Sequence, residues 1–292
     1  MKILVFGRGG QLALAMRDQG DAAGHTVTCL GRESLSIADG AAVAAAIAAH
    51  APDLIVNAAA YTAVDKAESE VEEAFAVNRD GTRHIAAAAK DADIPFIHVS
   101  TDYVFEGGGE RAWREDDATA PLGVYGASKL AGEQAIAELG PARNAVLRTS
   151  WVFSPYGANF VRTMLRLGVD RPELRVVADQ RGRPTAAHDI ADAILLMAPF
   201  VGDGTAQGIF HFGGAEPTSW HAFAEAVFAS GARHGRPVPK VHPIATADYP
   251  TPAKRPANSV LACDRYLALP GATLPDWRPS LDRAVDALLA AG

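Results

Sequence analysis

Residues Lys2 to Phe6 form an apolar run that reads as a parallel strand buried on both faces, and it leads directly into Gly7-Arg8-Gly9-Gly10-Gln11-Leu12-Ala13. A helical pattern through about residue 19 follows. Strand, glycine turn and helix in that order leave few folds open. Small residues let backbone N–H groups approach a pyrophosphate at the positive end of a helix, so G-x-x-G-x-x-A straight after the first strand predicts a dinucleotide cradle. Gly7 and Gly10 are its hinge points.

The alternation continues. Thr26–Leu30, Leu54–Asn57, residues 96–100 and residues 145–148 read as further strands, separated by helical patterns over 41–50, 72–91 and 125–137. Strands alternating with helices predict an α/β chain with a Rossmann-like doubly wound parallel sheet. Beyond residue 151 the alternation weakens. Helices are expected over 159–167, 188–197 and 220–230 and from about 280, with strands over 174–177 and 209–212 and an irregular proline-rich stretch over 237–256. The expected division is an NAD(P)-binding domain over 1–150, also receiving part of 186–210, and a smaller C-terminal α/β substrate-binding domain over 151–292.

In open parallel sheets ligands sit at the carboxyl ends of the strands, so residues just past those ends are the candidates. Arg32, after the second strand, could meet a 2′-phosphate; the ribose-binding acid of NAD-specific proteins is absent there, which favours NADPH over NADH. Asp39 either lies beside the adenine or caps the alanine-rich helix that follows. Asn57 to Thr62 is a small-residue turn past the third strand. Residues 65–70 read as a solvated polar loop, and Asn78 as a residue that tightens its helix through a backbone hydrogen bond. His98 lies mid-strand and reads as core or supporting. The Thr101 hydroxyl, just beyond the fourth strand, could hydrogen-bond a substrate oxygen. Residues 106–117 read as a surface loop whose glycines would allow it to move.

Tyr125 and Lys129 are four residues apart on a predicted helix and therefore share a face. A phenol titrates near 10 in water, and a close ammonium can bring it toward neutrality, about 4 kcal/mol of differential stabilisation for about three units. The same pair could equally decorate a solvated helix. Composition narrows the partners: with 49% hydrophobic and 21% charged residues and a net charge of −7, the chain is an ordinary globular one without the positive surface that nucleic acid requires. Two cysteines, Cys29 and Cys263, make neither a disulfide framework nor a metal site, and the short apolar N-terminus is neither a signal peptide nor a membrane span. A cytoplasmic protein is expected.

The glycine turn, the Asn57-to-Thr62 turn, Ser100-Thr-Asp-Tyr-Val-Phe105 and Tyr125-x-x-x-Lys129 together resemble the extended short-chain dehydrogenase/reductase family. Residues 56–68, Arg148-Thr-Ser-Trp-Val-Phe153, Asn159-Phe160 and the segment from Tyr249 to Ser259 are similar to its dTDP-4-dehydrorhamnose reductase branch, over nearly the whole chain. The resemblance implies NAD(P)H-dependent reduction of the C4 ketone of a dTDP-4-keto-6-deoxy sugar to dTDP-L-rhamnose. It implies that Tyr125 donates the proton, that Lys129 lowers the phenol and reaches the nicotinamide ribose, and that Thr101 holds the ketone oxygen. Asp102, Trp151, Asn159, Arg255 and Asn258 would contact the sugar or the diphosphate, with Lys254 a second cation for the latter. Gly10, Gln11 and Leu12 would line the pyrophosphate, and Ala60, Tyr61 and Thr62 the adenosine half. Some relatives dimerise through magnesium held by carboxylates; Ala15 and His188 stand where two would be expected, so no structural metal is predicted, and the chain is expected as a monomer or homodimer. Two alternatives stay open: another nucleotide-sugar 4-ketoreductase or epimerase, and an NADP-binding regulatory subunit without turnover.

Overall fold

The five strands expected in the first half and the one expected over 209–212 pair side by side in one all-parallel sheet in the computed structural model, which describes residues 1–140 and 142–290. Pro141, Ala291 and Gly292, which fall within the two expected halves, lie outside the described residues. The first half of the chain alternates β1 (Lys2–Phe6), α1 (Gln11–Ala22), β2 (Thr26–Leu30), α2 (Gly40–His50), β3 (Leu54–Asn57), α3 (Val64–Ala67), α4 (Val71–Phe75), α5 (Thr82–Asp91), β4 (Phe96–Thr101), α6 (Val124–Glu138) and β5 (Asn144–Thr149). The second half comprises β6 (Val152–Phe153), α7 (Phe160–Asp170), β7 (Glu173–Val177), β8 (Arg181–Gly182), β9 (Thr185–Ala186), α8 (Ala187–Gly202), β10 (Gly208–His211), β11 (Thr218–Ser219), α9 (Trp220–Ala232), β12 (Lys240–Ile244), α10 (Asp264–Leu267) and α11 (Trp277–Ala290).

The sheet order is β10-β5-β4-β3-β1-β2. The chain moves outward from β1 to β2, then restarts on the other side of β1 with β3, so the carboxyl ends of β1 and β3 flank a topological switch point. Every central strand is buried on both faces, as its continuous apolar run requires. Ile3, Val5, Leu54, Val56 and Leu147 face α1 and α8, while Leu4, Phe6, Ile55 and Val146 face α2, α5 and α6. A separate core gathers Phe153 of β6, Leu165 of α7, Leu174 of β7, Phe223 and Phe228 of α9 and Trp277 of α11.

Four local expectations are corrected. Residues 65–70 are not a plain loop: α3 forms there, and its flanking carboxylates reach distant backbone. The helix over 72–91 contains a π-helical stretch, Ala76–Gly81, between α4 and α5. The proline-rich stretch contains β12, because Pro243 lies on a two-stranded edge where a missing N–H is tolerated. Finally, α11 starts before Pro279, which occupies a first-turn position where its absent N–H had no helical partner.

Candidate active site

Gly7 ends β1 with φ +113°, a conformation that side chains rarely adopt, and its missing Cβ would lie 3.1 Å from Ala58 C and Ala59 N of the turn after β3. The glycine thus lets the two loops at the switch point touch. Gly10 is the extended N-cap of α1 and no side chain caps the helix, so the N–H groups of Gln11, Leu12 and Ala13 have no helical partner. A Cβ on Gly9 or Gly10 would meet nothing within 4 Å. An open, uncapped helix end beside small residues fits a dinucleotide pyrophosphate. Gln11 is drawn sideways, accepting from Ser154 Oγ at 2.8 Å, and Leu12 is buried against the core.

Beyond the switch point Arg32, Ala60, Tyr61 and Thr62 line a cavity of about 490 Å³ together with Lys66 and Glu70. The Tyr61 hydroxyl donates to Glu70, which pushes the phenol up to about 12. Asp39 turns out as a cap: its side chain accepts from the Ala42 N–H at 3.0 Å at the start of α2, which commits that carboxylate oxygen to the helix and away from an adenine.

The chemistry-bearing groups meet between β4 and α6. Thr101 is buried; its hydroxyl donates to Asp102 Oδ1 at 3.0 Å, and it acts on the Tyr125 phenol against the effect of burial. Tyr125 sits in the first turn of α6, edge-on to Tyr103 at 5.5 Å between ring centroids. Burial pushes its phenol up to about 12, partly opposed by Thr101 and reinforced by the Asp102 charge. Asp102 is 3% exposed, its Oδ2 has no hydrogen-bond partner among the described residues, and burial raises its carboxyl to about 6 against hydrogen bonds from Ser259 and Thr101. An unpartnered buried carboxylate oxygen beside Thr101 suits a ligand hydroxyl.

The role implied for Lys129 is corrected in its geometry. The side chain is buried, and its Nζ donates to the Val99 carbonyl at 2.7 Å and lies 3.1 Å from His98 Nε2. It is directed into the sheet, and the causes acting on Tyr125 do not include it. Desolvation brings the lysine down to about 8. Behind it Glu133, one turn further along α6, is committed to Arg148 and Ser100, with Arg148 and Glu133 2% and 4% exposed.

Of the residues expected at the substrate, Trp151 adopts φ 50°, stacks on Trp220 at 3.6 Å between centroids and leans on Gly182, where a Cβ would come within 2.3 Å of its indole. A bulky residue held in the left-handed region carries strain that neighbours must maintain. Arg255 is half-buried and pairs with Asp65 at 2.8 Å, while Lys254 is exposed. Two of the residues expected at the substrate hold backbone. Asn159 caps α7, accepting from the Arg162 N–H and donating to the Ser154 and Tyr156 carbonyls. Asn258 donates to the Gly109 and Arg111 carbonyls and accepts from Val260, which makes it a staple for the 107–111 loop.

Asn78 does not tighten its own helix as expected: in the π-helical stretch it clasps the Tyr61 N–H at 2.8 Å and its carbonyl at 3.1 Å and donates to Ser128 of α6, tying the Tyr61 turn to the helix of Tyr125. The pattern of residues gave no sign of two others. Glu68 accepts from the Val124 N–H at 2.9 Å, capping that helix from another segment, since Gly123 offers no side chain. Trp220 supports Trp151. The tie and cap run over 50 and 56 residues of chain, which no local spacing reveals.

At the other end of α1, Ala15 is buried, and Asp18 accepts from the Tyr156 hydroxyl and lies 3.3 Å from His188 Nε2. Among the described residues no group of three or more His, Cys, Asp or Glu is placed to hold a metal, and no helix is long and apolar enough to cross a membrane.

Comparison with known proteins places this geometry in context. The family described as the RmlD substrate binding domain matches residues 1–290. A dTDP-4-dehydrorhamnose reductase of Sinorhizobium fredii is 49% identical over 100% of this chain and 99% of its own length. The crystal structure of a dTDP-4-dehydrorhamnose reductase from Clostridium acetobutylicum superposes with a TM-score of 0.91 at 35% identity, over 99% of this chain and 100% of that one. A Bacillus anthracis dTDP-4-dehydrorhamnose reductase in complex with NADP gives 0.90 at 32% identity, over 97% and 98%.

Proposed function

Because the chain belongs to the RmlD substrate binding domain family, we propose that it is a dTDP-4-dehydrorhamnose reductase, reducing the C4 ketone of dTDP-6-deoxy-L-lyxo-4-hexulose to dTDP-L-rhamnose with NADPH, and NADH as the second option. The observation that carries the reading is the meeting of Thr101 and Tyr125 at the carboxyl edge of the sheet, beside an uncapped helix end that suits a pyrophosphate.

When bound, the nicotinamide supplies a hydride. Reduction leaves negative charge on the ketone oxygen, and the Tyr125 phenol gives that oxygen its proton. Thr101 holds the oxygen by a hydrogen bond that strengthens as charge develops. Tyr125 starts high, so its phenolate needs a cation; Lys129, on the same face of α6, provides one when its side chain turns from Val99 toward the phenol. Asp102 takes a sugar hydroxyl through its free Oδ2, Trp151 flanks the sugar, and Arg255 keeps donors for the diphosphate while Asp65 fixes one arm. Gly7, Gly10, Gln11 and Leu12 hold the cofactor pyrophosphate, Ala60, Tyr61 and Thr62 its adenosine side, and Arg32 the 2′-phosphate. The same reading divides the chain into a cofactor part, 1–150 with α8 and β10, and a substrate part over the rest of 151–292. It makes the protein a cytoplasmic monomer or homodimer.

The test is oxidation of NADPH and NADH by purified protein, with the 4-keto sugar nucleotide generated by upstream enzymes and Tyr125→Phe alongside. dTDP-L-rhamnose from the unmodified chain, lost with Tyr125→Phe, is the expected result. A different product sugar would replace the substrate assignment, and binding without turnover would favour a regulatory subunit.

A further inference from the structure

Lys129 docks against a buried chain of polar groups that the reaction itself does not require. His98 Nε2 lies 3.1 Å from Lys129 Nζ, and His98 Nδ1 lies 3.1 Å from Asn57 Nδ2. Asn57 is oriented by its surroundings: its Oδ1 accepts the Ala59 N–H at 3.1 Å, and its Nδ2 also faces Thr82 Oγ1 at 3.3 Å. The four side chains Asn57, Thr82, His98 and Lys129 are each 0–2% exposed, so no bulk water corrects a mismatch.

A neutral imidazole carries one donor and one acceptor. Burial keeps His98 neutral. Since Asn57 presents an N–H to Nδ1, that nitrogen accepts and the ring hydrogen sits on Nε2, facing the lysine. An ammonium there would set N–H against N–H. An amine closes the chain, because its lone pair accepts from Nε2–H while its own hydrogen goes to the Val99 carbonyl. Docking an ammonium would require the other tautomer, which turns the Asn57 amide over and deprives the Ala59 N–H of its acceptor, a costly exchange in a dry site.

We infer that His98 is a positioning residue for Lys129: its Nε2–H tautomer, set by Asn57, accepts the uncharged amine in the Val99 dock and turns the ammonium out toward the Tyr125 end of α6. The remaining charged groups do not alter this. Glu133 on the same helix favours the ammonium but its charge is balanced by Arg148 and it also accepts from Ser100, and Asp102, just past β4, acts on Tyr125. The depressed lysine agrees with the dock. Only the effect on rate rests on the proposed reductase activity; the tautomer is independent of turnover.

The test is nitrogen NMR of the full chain with 15N-labelled histidine, the His98 ring being assigned by its loss in His98→Gln. The expected spectrum has a protonated Nε2 and a bare Nδ1 at and above neutral pH. A proton on Nδ1, or on both nitrogens, would overturn the inference. Asn57→Asp, whose carboxylate only accepts, is expected to invert the tautomer and admit the ammonium, moving the alkaline limb of kcat upward by about one pH unit or more. Inversion of the tautomer with an unmoved limb would sever His98 from Lys129 and refute the positioning role. If the chain proves inactive, the spectra of the unmodified protein still decide the tautomer.

Discussion

Replacing Asp102 with asparagine should change the pH dependence of stability by a calculable amount. The carboxyl is 3% exposed, Oδ1 accepts from Thr101, and Oδ2 has no partner among the described residues. Burial raises its pKa from 3.8 to about 6. Between these values the folded chain holds a proton that the unfolded chain has released, so unfolding stability falls as pH rises. The favourable contribution of the protonated form is complete below about pH 4 and is gone above about pH 6; two units correspond to about 3 kcal/mol. The substituted amide does not titrate and keeps the Thr101 contact. Urea unfolding of both proteins from about pH 4 to about pH 8 gives the difference in stability directly, with other titrating groups cancelling. The unmodified protein should lose about 3 kcal/mol relative to Asp102→Asn across that window, then run parallel to it. A difference independent of pH would mean that the carboxylate is solvated or paired, and would remove the argument that its free oxygen awaits a sugar hydroxyl.

Other positions give shorter tests. Glu133→Gln leaves the Arg148 guanidinium buried with half its partner gone and should cost about 3–5 kcal/mol by urea unfolding, whereas an apolar double replacement of Glu133 and Arg148 should recover much of it. Glu68→Ala removes the cap supplied to α6 across 56 residues and should destabilise by about 1 kcal/mol while lowering kcat more than it weakens NADPH binding, as separate kinetic and binding titrations would resolve. Gly182→Ala drives a Cβ to 2.3 Å from the Trp151 indole, so it should unstack Trp151 from Trp220, change the tryptophan fluorescence and raise KM for the sugar nucleotide with cofactor affinity preserved. Exhaustive chelation should leave activity intact, since Ala15 offers no ligand and Asp18 is engaged by Tyr156; magnesium-specific rescue of a chelated enzyme would contradict this.

The parallel sheet, its glycine turn and the shared helix face of Tyr125 and Lys129 are legible because each depends on local pattern. An apolar run that must be buried on both faces, a turn that only glycine allows and a helix that places residues four apart on one side are decided within about ten residues of chain. Asn159 and Asn258 are less legible for the complementary reason. An amide can serve a ligand or a nearby carbonyl equally well, and only the folded loops around Ser154 and Gly109 bring those carbonyls within reach. Lys129 belongs to the same class: its spacing from Tyr125 fixes the helix face, while the direction of its Nζ depends on His98 and Val99, which reach it from β4.

The chain pattern therefore fixes the fold class and marks the glycine turn and the Tyr125–Lys129 face as the places to look. The tertiary structure alone decided how those parts are held: Asn78 clasping the Tyr61 turn, Glu68 capping the helix of Tyr125, Asp65 fixing Arg255, and Asn57 orienting His98 against the lysine. These contacts join residues 17 to 190 apart. Hydrogen bonds of that range leave no periodic trace in the chain, because each partner needs only a donor or acceptor and the fold supplies the distance.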